Sequence, residues 1–232
     1  MTAIRDGPIL ERHELLEGAT YERREGVVTL RLGAPWQVLS SAVLGGGRRH
    51  VRSLLHLQVP LSYDCDRPER DLRRVARELA LDGPTVGLMT AVDLAETQVF
   101  AARAGDAEVR ALITVGLRNA ARPGEAVVGG PGTINVVLLC ARRLAEAAAI
   151  ELAMLASEAK AAAIVESGVR TRTGRAASGT STDAIAILWR RAAGRDFRHA
   201  GSATEIGAVV GRIVTDAIRF AVEQKASTRS AS

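Results

Sequence analysis

Five apolar stretches in this chain carry their small polar residues at one end only, and the end changes from one group of stretches to the other. In WQVLSSAVLGGG (36–47), TVGLMTAVD (85–93) and ITVGLRNA (113–120) the apolar residues come first, and Ser40, Ser41, Thr90, Asp93 and Asn119 fall within or after them. In PGTINVVLLC (131–140) and SGTSTDAIAIL (178–188) the order is reversed, with Thr133, Asn135, Thr180, Ser181, Thr182 and Asp183 in front. Strands of the first kind placed antiparallel to strands of the second bring every polar end to one rim of a mixed sheet. Taken singly, each polar cluster suits an ordinary strand-terminal turn. Five on one rim are what a binding or catalytic pocket requires.

The rest of the chain reads as strands alternating with helices. TYERREGVVTLRL (20–32) predicts a hairpin turning at Glu25 and Gly26. Further strands are expected at 36–44, 53–59, 85–92, 110–117, 134–140 and 183–189. DRPE (66–69) has the form of a capping box with proline in the first turn, followed by Leu72, Val75, Ala76 and Leu79 on one stripe and a stop at Gly83. SATE (202–205) is a second such box, opening a helix whose apolar residues recur every three or four positions, with Gly207 and Gly211 marking a closely packed face. Between them, the Ala-rich segment 144–167 is apolar all round, as expected of a helix covered on more than one side. Glu158 and Lys160 lie about 200° apart on it, so either one of them points inward, if the helix is sandwiched, or both stand as a solvated pair of surface charges.

These elements predict a single α/β domain over 1–224, with a mixed, largely antiparallel sheet covered by helices, a layered sandwich being one form of it. Residues 225–232 read as a disordered tail. A Rossmann fold is not expected: the glycines at 45–47, 129–130 and 132 complete neither GxGxxG nor GxxxxGK[ST] between a strand and a helix.

The chain has 232 residues. That is enough to bury roughly 70% of the unfolded surface without disulfides or metal staples. Cys65 and Cys140 stand in unrelated contexts, and the four histidines (His13, His50, His56, His199) include no i, i+4 pair, so no protein-built metal site is expected. The net charge of +5 comes entirely from residues 142–232, with 14 basic against 9 acidic side chains, while residues 1–141 balance at 17 and 17. Only 3% of residues are aromatic, which argues against nucleic-acid binding. The longest apolar run, 134–141, interrupted only by Asn135, is too short to cross a bilayer. The first residues, MTAIRDGPILERHELLEG, lack a signal-type apolar region, so a cytoplasmic protein is expected. Nothing in the sequence sets an oligomeric state.

In order along the chain, VLSSAVLGGG, TVGLMTAVD, VGLRNA (115–120), PGTINVVLL, SEAKAA (157–162), GTSTDAIAI and GSATEIG (201–207) resemble the landmarks of the adenosylcobinamide amidohydrolase (CbiZ) family. The resemblance runs from about Trp36 to about Ala221. It implies hydrolysis of the amide joining aminopropanol to the corrin's propionate arm, giving adenosylcobyric acid and aminopropanol in corrinoid salvage. Cobalt would then arrive with the corrinoid substrate and no cofactor would be built by the protein. Two positions depart from the family pattern, Gly45 where an Asn is often found and Ala203 where a His is often found; His199, four residues upstream, could stand in. GGPGTINVVLL, the helix after it and STDAIAIL are similar, more faintly, to half of the layered α/β sandwich of ornithine acetyltransferases and DmpA aminopeptidases. A corrinoid-binding or carrier protein without hydrolytic activity is the competing function.

Amide hydrolysis needs a nucleophile, donors for the oxyanion and an acid for the leaving amine. The histidines sit outside the polar strand ends, so no Ser-His-Asp arrangement is expected. The candidates are Asp183 as base or orienting carboxylate, Thr182 or Ser41 as nucleophile or water holder, Asn119 with the N–H groups around Gly132 and Thr133 as oxyanion donors, and Asp93 as a second carboxylate. Lys160 is a further polar group within reach. Ser40, Gly45, Gly46, Met89, Thr90, Gly132, Asn135, Gly179 and Thr180 are the expected substrate contacts. Leu88 and Met89 are core side chains or a wall against the corrin's apolar face, in a wide cleft.

Overall fold

The computed structural model describes residues 7–126, 132–190 and 196–230; the glycine pair at 129–130 lies outside them. The expected hairpin is present as β2 (Ala19–Arg24) and β3 (Val27–Ser40), with Gly26 at φ 68° in the turn. Before it comes β1 (Glu11–Leu16), and after it β4 (Gly47–Gln58), α1 (Pro68–Glu78), β5 (Thr85–Thr90), β6 (Gln98–Ala104) and β7 (Ala107–Val115). The two-residue β8 (Ala120–Ala121), β9 (Ile134–Cys140), α2 (Glu146–Glu166), the two-residue β10 (Gly179–Thr180), β11 (Ala184–Trp189) and α3 (Glu205–Ser230) complete the chain.

Strand β3 organises the molecule. Its first half pairs with β2 and its second half with β11, while β4 lines its other side throughout, with a register shift between Arg31 and Trp36. Pro35, which cannot donate to a ladder, falls in that shift. The sheet then runs β11, β9, β7, β6 on one side and β4, β5 on the other. Of these pairings only β11 with β9 and β4 with β5 are parallel.

Alternate residues of β9 show why the sheet must be layered. Val136, Leu138 and Cys140 pack with α2 and α3, whereas Val137 and Leu139 pack with Val38, Leu54, Val86 and Leu88 of β3, β4 and β5. On the far side of β4, Leu55 and Leu57 meet Leu72, Val75 and Ala76 of α1. The sheet therefore curls until two parts of it face each other, and the order of layers is helices, sheet, sheet, helix. Each face of β9 is apolar because both are covered.

Several local features differ from expectation for identifiable reasons. Helix α1 begins at Pro68 with Arg67 at its N-cap and no side-chain cap, so the preference of proline for the first helical position overrode the capping box at Asp66. In α3 the cap is Thr204, whose Oγ accepts from Gly207 N at 3.1 Å, and Glu205 instead receives the Gly105 N–H at 2.6 Å. A Cβ on Gly207 would lie 2.1 Å from Gly201 O, so close packing is real there; at Gly211 no atom comes within 4 Å. Helix α3 continues to Ser230, through much of the stretch expected as a tail. Among the described residues no helix is long and apolar enough to cross a membrane.

Candidate functional site

The N-terminal ends of β9 and β11 and the C-terminal ends of β3 and β7 meet, and hydrogen bonds stitch them side by side. Antiparallel pairing of Gly179 and Thr180 with Ala121 and Ala120 sets the 178–183 turn against the segment after β7. There Asn119 Nδ2 donates to Ser181 Oγ at 2.8 Å. Thr133 Oγ donates to Thr182 O and Thr182 Oγ donates to Gly132 O, both at 2.7 Å. On the other flank Ile185 N donates to Ser41 Oγ at 3.0 Å, and Ser40 Oγ donates to Ile185 O at 3.0 Å. Ser41, Ser181 and Thr182 are exposed, while Asn119 and Thr133 are buried beneath them.

Asp183 is the hub of this rim. Its carboxylate accepts from Ile134 N at 3.0 Å, Thr180 N at 3.1 Å, the Thr180 hydroxyl and the Lys160 ammonium. Lys160 comes from α2 and is buried, whereas Glu158, two residues earlier, faces solvent. Four donors occupy the acceptor positions of one carboxylate. That arrangement suits an orienting group better than a base with a lone pair to spare. Gly179 makes room for it: a Cβ there would sit 2.4 Å from Asp183 Oδ2 and 2.8 Å from Lys160 Nζ.

Gly132 is likewise required by contact, since a Cβ would fall 2.3 Å from Asn119 Oδ1. Gly45 and Gly46 serve the turn after β3 rather than the hydrogen-bonded rim. Gly45 holds φ at 73°, and a side chain would meet Thr85 O at 2.7 Å, while one on Gly46 would meet Ala42 O at 2.8 Å.

The remaining expected residues are placed elsewhere. Asn135 is buried and points between the two sheet layers, where its Nδ2 donates to Met89 O at 2.9 Å and to His56 Nε2 at 2.8 Å. Burial holds the pKa of His56 at about 3, so the ring is neutral and Nε2 is the acceptor. No local pattern around His56 marks it as reaching a polar strand end. Of the two roles expected for them, the core one fits their places: the half-buried Met89 side chain packs towards α1 and Leu88 lies in the inter-sheet core. Thr90 Oγ accepts from Val92 N at 3.0 Å, a local turn contact. Asp93 caps a short 3-10 turn by accepting from Ala95 N at 2.9 Å. His199 faces Glu151 of α2 at 3.4 Å, about 13.5 Å along the helix axis from Lys160, too far to replace a rim residue.

Beside the rim opens a cleft of about 700 Å³, reaching from Gly132 and the Gly116–Arg118 turn to Asp93 and the end of α3.

A model of the adenosylcobinamide amidohydrolase family matches residues 12–230. The chain belongs to that family. Its amidohydrolase relatives include an adenosylcobinamide amidohydrolase of Methanosarcina mazei, 29% identical over 203 residues that cover 84% of this chain and 94% of that one. Another, from Halobacterium salinarum, is 30% identical over 213 residues, covering 87% and 86%. Among solved structures, a Burkholderia sp. beta-aminopeptidase aligns over 95% of this chain and 85% of that one, with a TM-score of 0.42 and 15% identity. In this amidohydrolase the matched stretch includes the whole rim: Ser41, Asn119, Gly132, Lys160 and Asp183 all fall inside residues 12–230.

Proposed function

We propose that this chain hydrolyses adenosylcobinamide at the amide linking aminopropanol to the corrin's propionate arm, releasing adenosylcobyric acid and aminopropanol within the cytoplasm as a step of corrinoid salvage. Family membership supports the substrate, and the shared rim of Asn119, Ser181, Thr182 and Asp183 supports the chemistry. Water adds to the carbonyl carbon, the C–N bond breaks, and the departing amine takes a proton.

In this reading the Asn119 amide and the backbone N–H groups at Gly132 and Thr133 face the developing oxyanion, and the Lys160 ammonium adds positive charge behind them. Asp183 holds Lys160 and Thr180 in place as a positioning residue. The exposed hydroxyls hold the water. Ser181 and Ser41 are better disposed than Thr182 among the described contacts: their oxygens accept from Asn119 and from Ile185 N, which leaves their own protons to orient a water, whereas Thr182 spends its proton on Gly132 O.

Incubating the purified protein with adenosylcobinamide and measuring free aminopropanol tests the proposal. Turnover is expected in the wild type, with a loss of about 10²–10³ in kcat for Asn119→Ala, the usual effect of deleting one oxyanion donor. Tight binding of adenosylcobinamide with no aminopropanol released would overturn the reading in favour of a carrier.

A further inference from the structure

We infer that the cleft beside the rim is the seat of the substrate's flat macrocycle, and that the C-terminal part of α3 forms the wall against which its apolar face lies. The inference rests on the proposed substrate and names the site for the part of it that does not react. Two large apolar side chains, Leu61 and Phe220, are about half exposed and both line this cleft. Val92 and Leu117 continue the apolar lining between them. Side chains this apolar in an open cleft mark a ligand surface.

The polar groups are placed for the same ligand. Asp93, Gln98 and Gln224 line the cleft, and hydrogen-bonding side chains of this kind match the carboxamide arms at the edge of a corrin. The wall itself is anchored: Gln98 Nε2 donates to Ala217 O at 3.0 Å, and Lys225 Nζ pairs with Glu96 at 2.9 Å.

The floor connects the cleft to the reacting end. A Cβ on Gly116 would lie 2.7 Å from Val92 Cγ2 and 3.2 Å from Thr133 N, and Gly132 is in contact with Asn119. These two glycines bring the floor to within one or two residues of the oxyanion donors. A macrocycle resting between Leu61 and Phe220 would send one propionate arm across Gly132 to Asn119 and Ser181.

The test compares adenosylcobinamide hydrolysis by wild type, Phe220→Ser, Leu61→Ser and, as a control, Met154→Ser on the exposed face of α2. Phe220→Ser is expected to raise KM about tenfold with kcat within twofold, the effect of removing apolar area that meets the ligand before and during reaction alike. Met154→Ser should leave both constants unchanged. Wild-type KM in both cleft variants, with hydrolysis intact, would overturn the cleft assignment while leaving the activity standing. No hydrolysis by the wild type would instead remove the underlying reading. Thermal melting of each variant separates loss of binding from loss of fold.

Discussion

The Lys160 ammonium meets the Asp183 carboxylate where α2 passes the N-terminal end of β11, and the two side chains retain only 10% and 13% of their exposure. A charge pair this poorly hydrated is sustained by its hydrogen bonds, and Asp183 collects three more from Ile134 and Thr180. It thereby ties α2, β9 and the turn before β11 into one unit.

Removing one partner of such a pair leaves the other charge buried. Asp183→Ala is expected to lower the unfolding free energy by about 3 kcal/mol, the lower end of the range for a broken buried pair. The midpoint of urea denaturation reads this directly. Asp183→Asn keeps the shape and should retain more stability yet still lose most activity, because Lys160 is no longer held. A variant with a wild-type melting curve and wild-type turnover would show that the pair orders nothing.

Glycine contacts make a sharper comparison. Gly179→Ala places a methyl against both Asp183 and Lys160, and Gly132→Ala places one against Asn119. Both should depress kcat by at least about tenfold, a shift of 1.4 kcal/mol in barrier. Gly201→Ala, with nothing within 4 Å of its added carbon, should leave turnover unchanged. Steady-state kinetics on the three proteins decides it.

His56 predicts a pH dependence of stability. Burial depresses its pKa in the folded protein from 6.5 to about 3, so the unfolded chain binds the proton first as pH falls. The contribution of neutral His56 is fully present above about pH 6.5 and is lost progressively between there and about pH 3, by up to about 1.4 kcal/mol per pH unit. Denaturant titrations between pH 7 and pH 4 on wild type and His56→Gln should show a shallower decline in the variant. Equal slopes would mean that the ring takes up its proton in place.

The start of α3 offers a simple check of the cap. Thr204→Ala should cost about 1 kcal/mol, whereas Ser202→Ala should cost close to nothing, since the Gly207 N–H is received by Thr204. Thermal melts suffice, and the opposite ranking would return the cap to Ser202.

Which parts of this could be read along the chain follows from how local each signal is. Strand β9 and helix α2 announce themselves because both carry apolar residues on every side; β9 is covered on both faces by α2, α3 and the facing sheet layer, whereas α2 leaves Ile150, Met154 and Val165 exposed. Strands β1 and β6 were not anticipated. Both are edge strands: ERHELL carries only two apolar residues, and QVFAARA, though mostly apolar, draws that character largely from alanine, which has little strand preference. The two sets of strand ends, by contrast, carried their direction in their composition, and the antiparallel pairings of β3 with β11 and of β7 with β9 follow that order.

The sequence by itself determined most of the elements, their mixed pairing and the small polar residues that cap them, because strand periodicity, turn chemistry and helix patterning act over a few residues. Only the tertiary structure decided what those residues face. The curl of the sheet turned Asn135 inward onto His56, and the approach of α2 delivered Lys160 to Asp183 across 23 positions of chain. The same packing laid α3 along the cleft. Such meetings depend on how layers stack and which side of a helix they cover, and those are set by the summed burial of the whole core rather than by any neighbouring stretch of sequence.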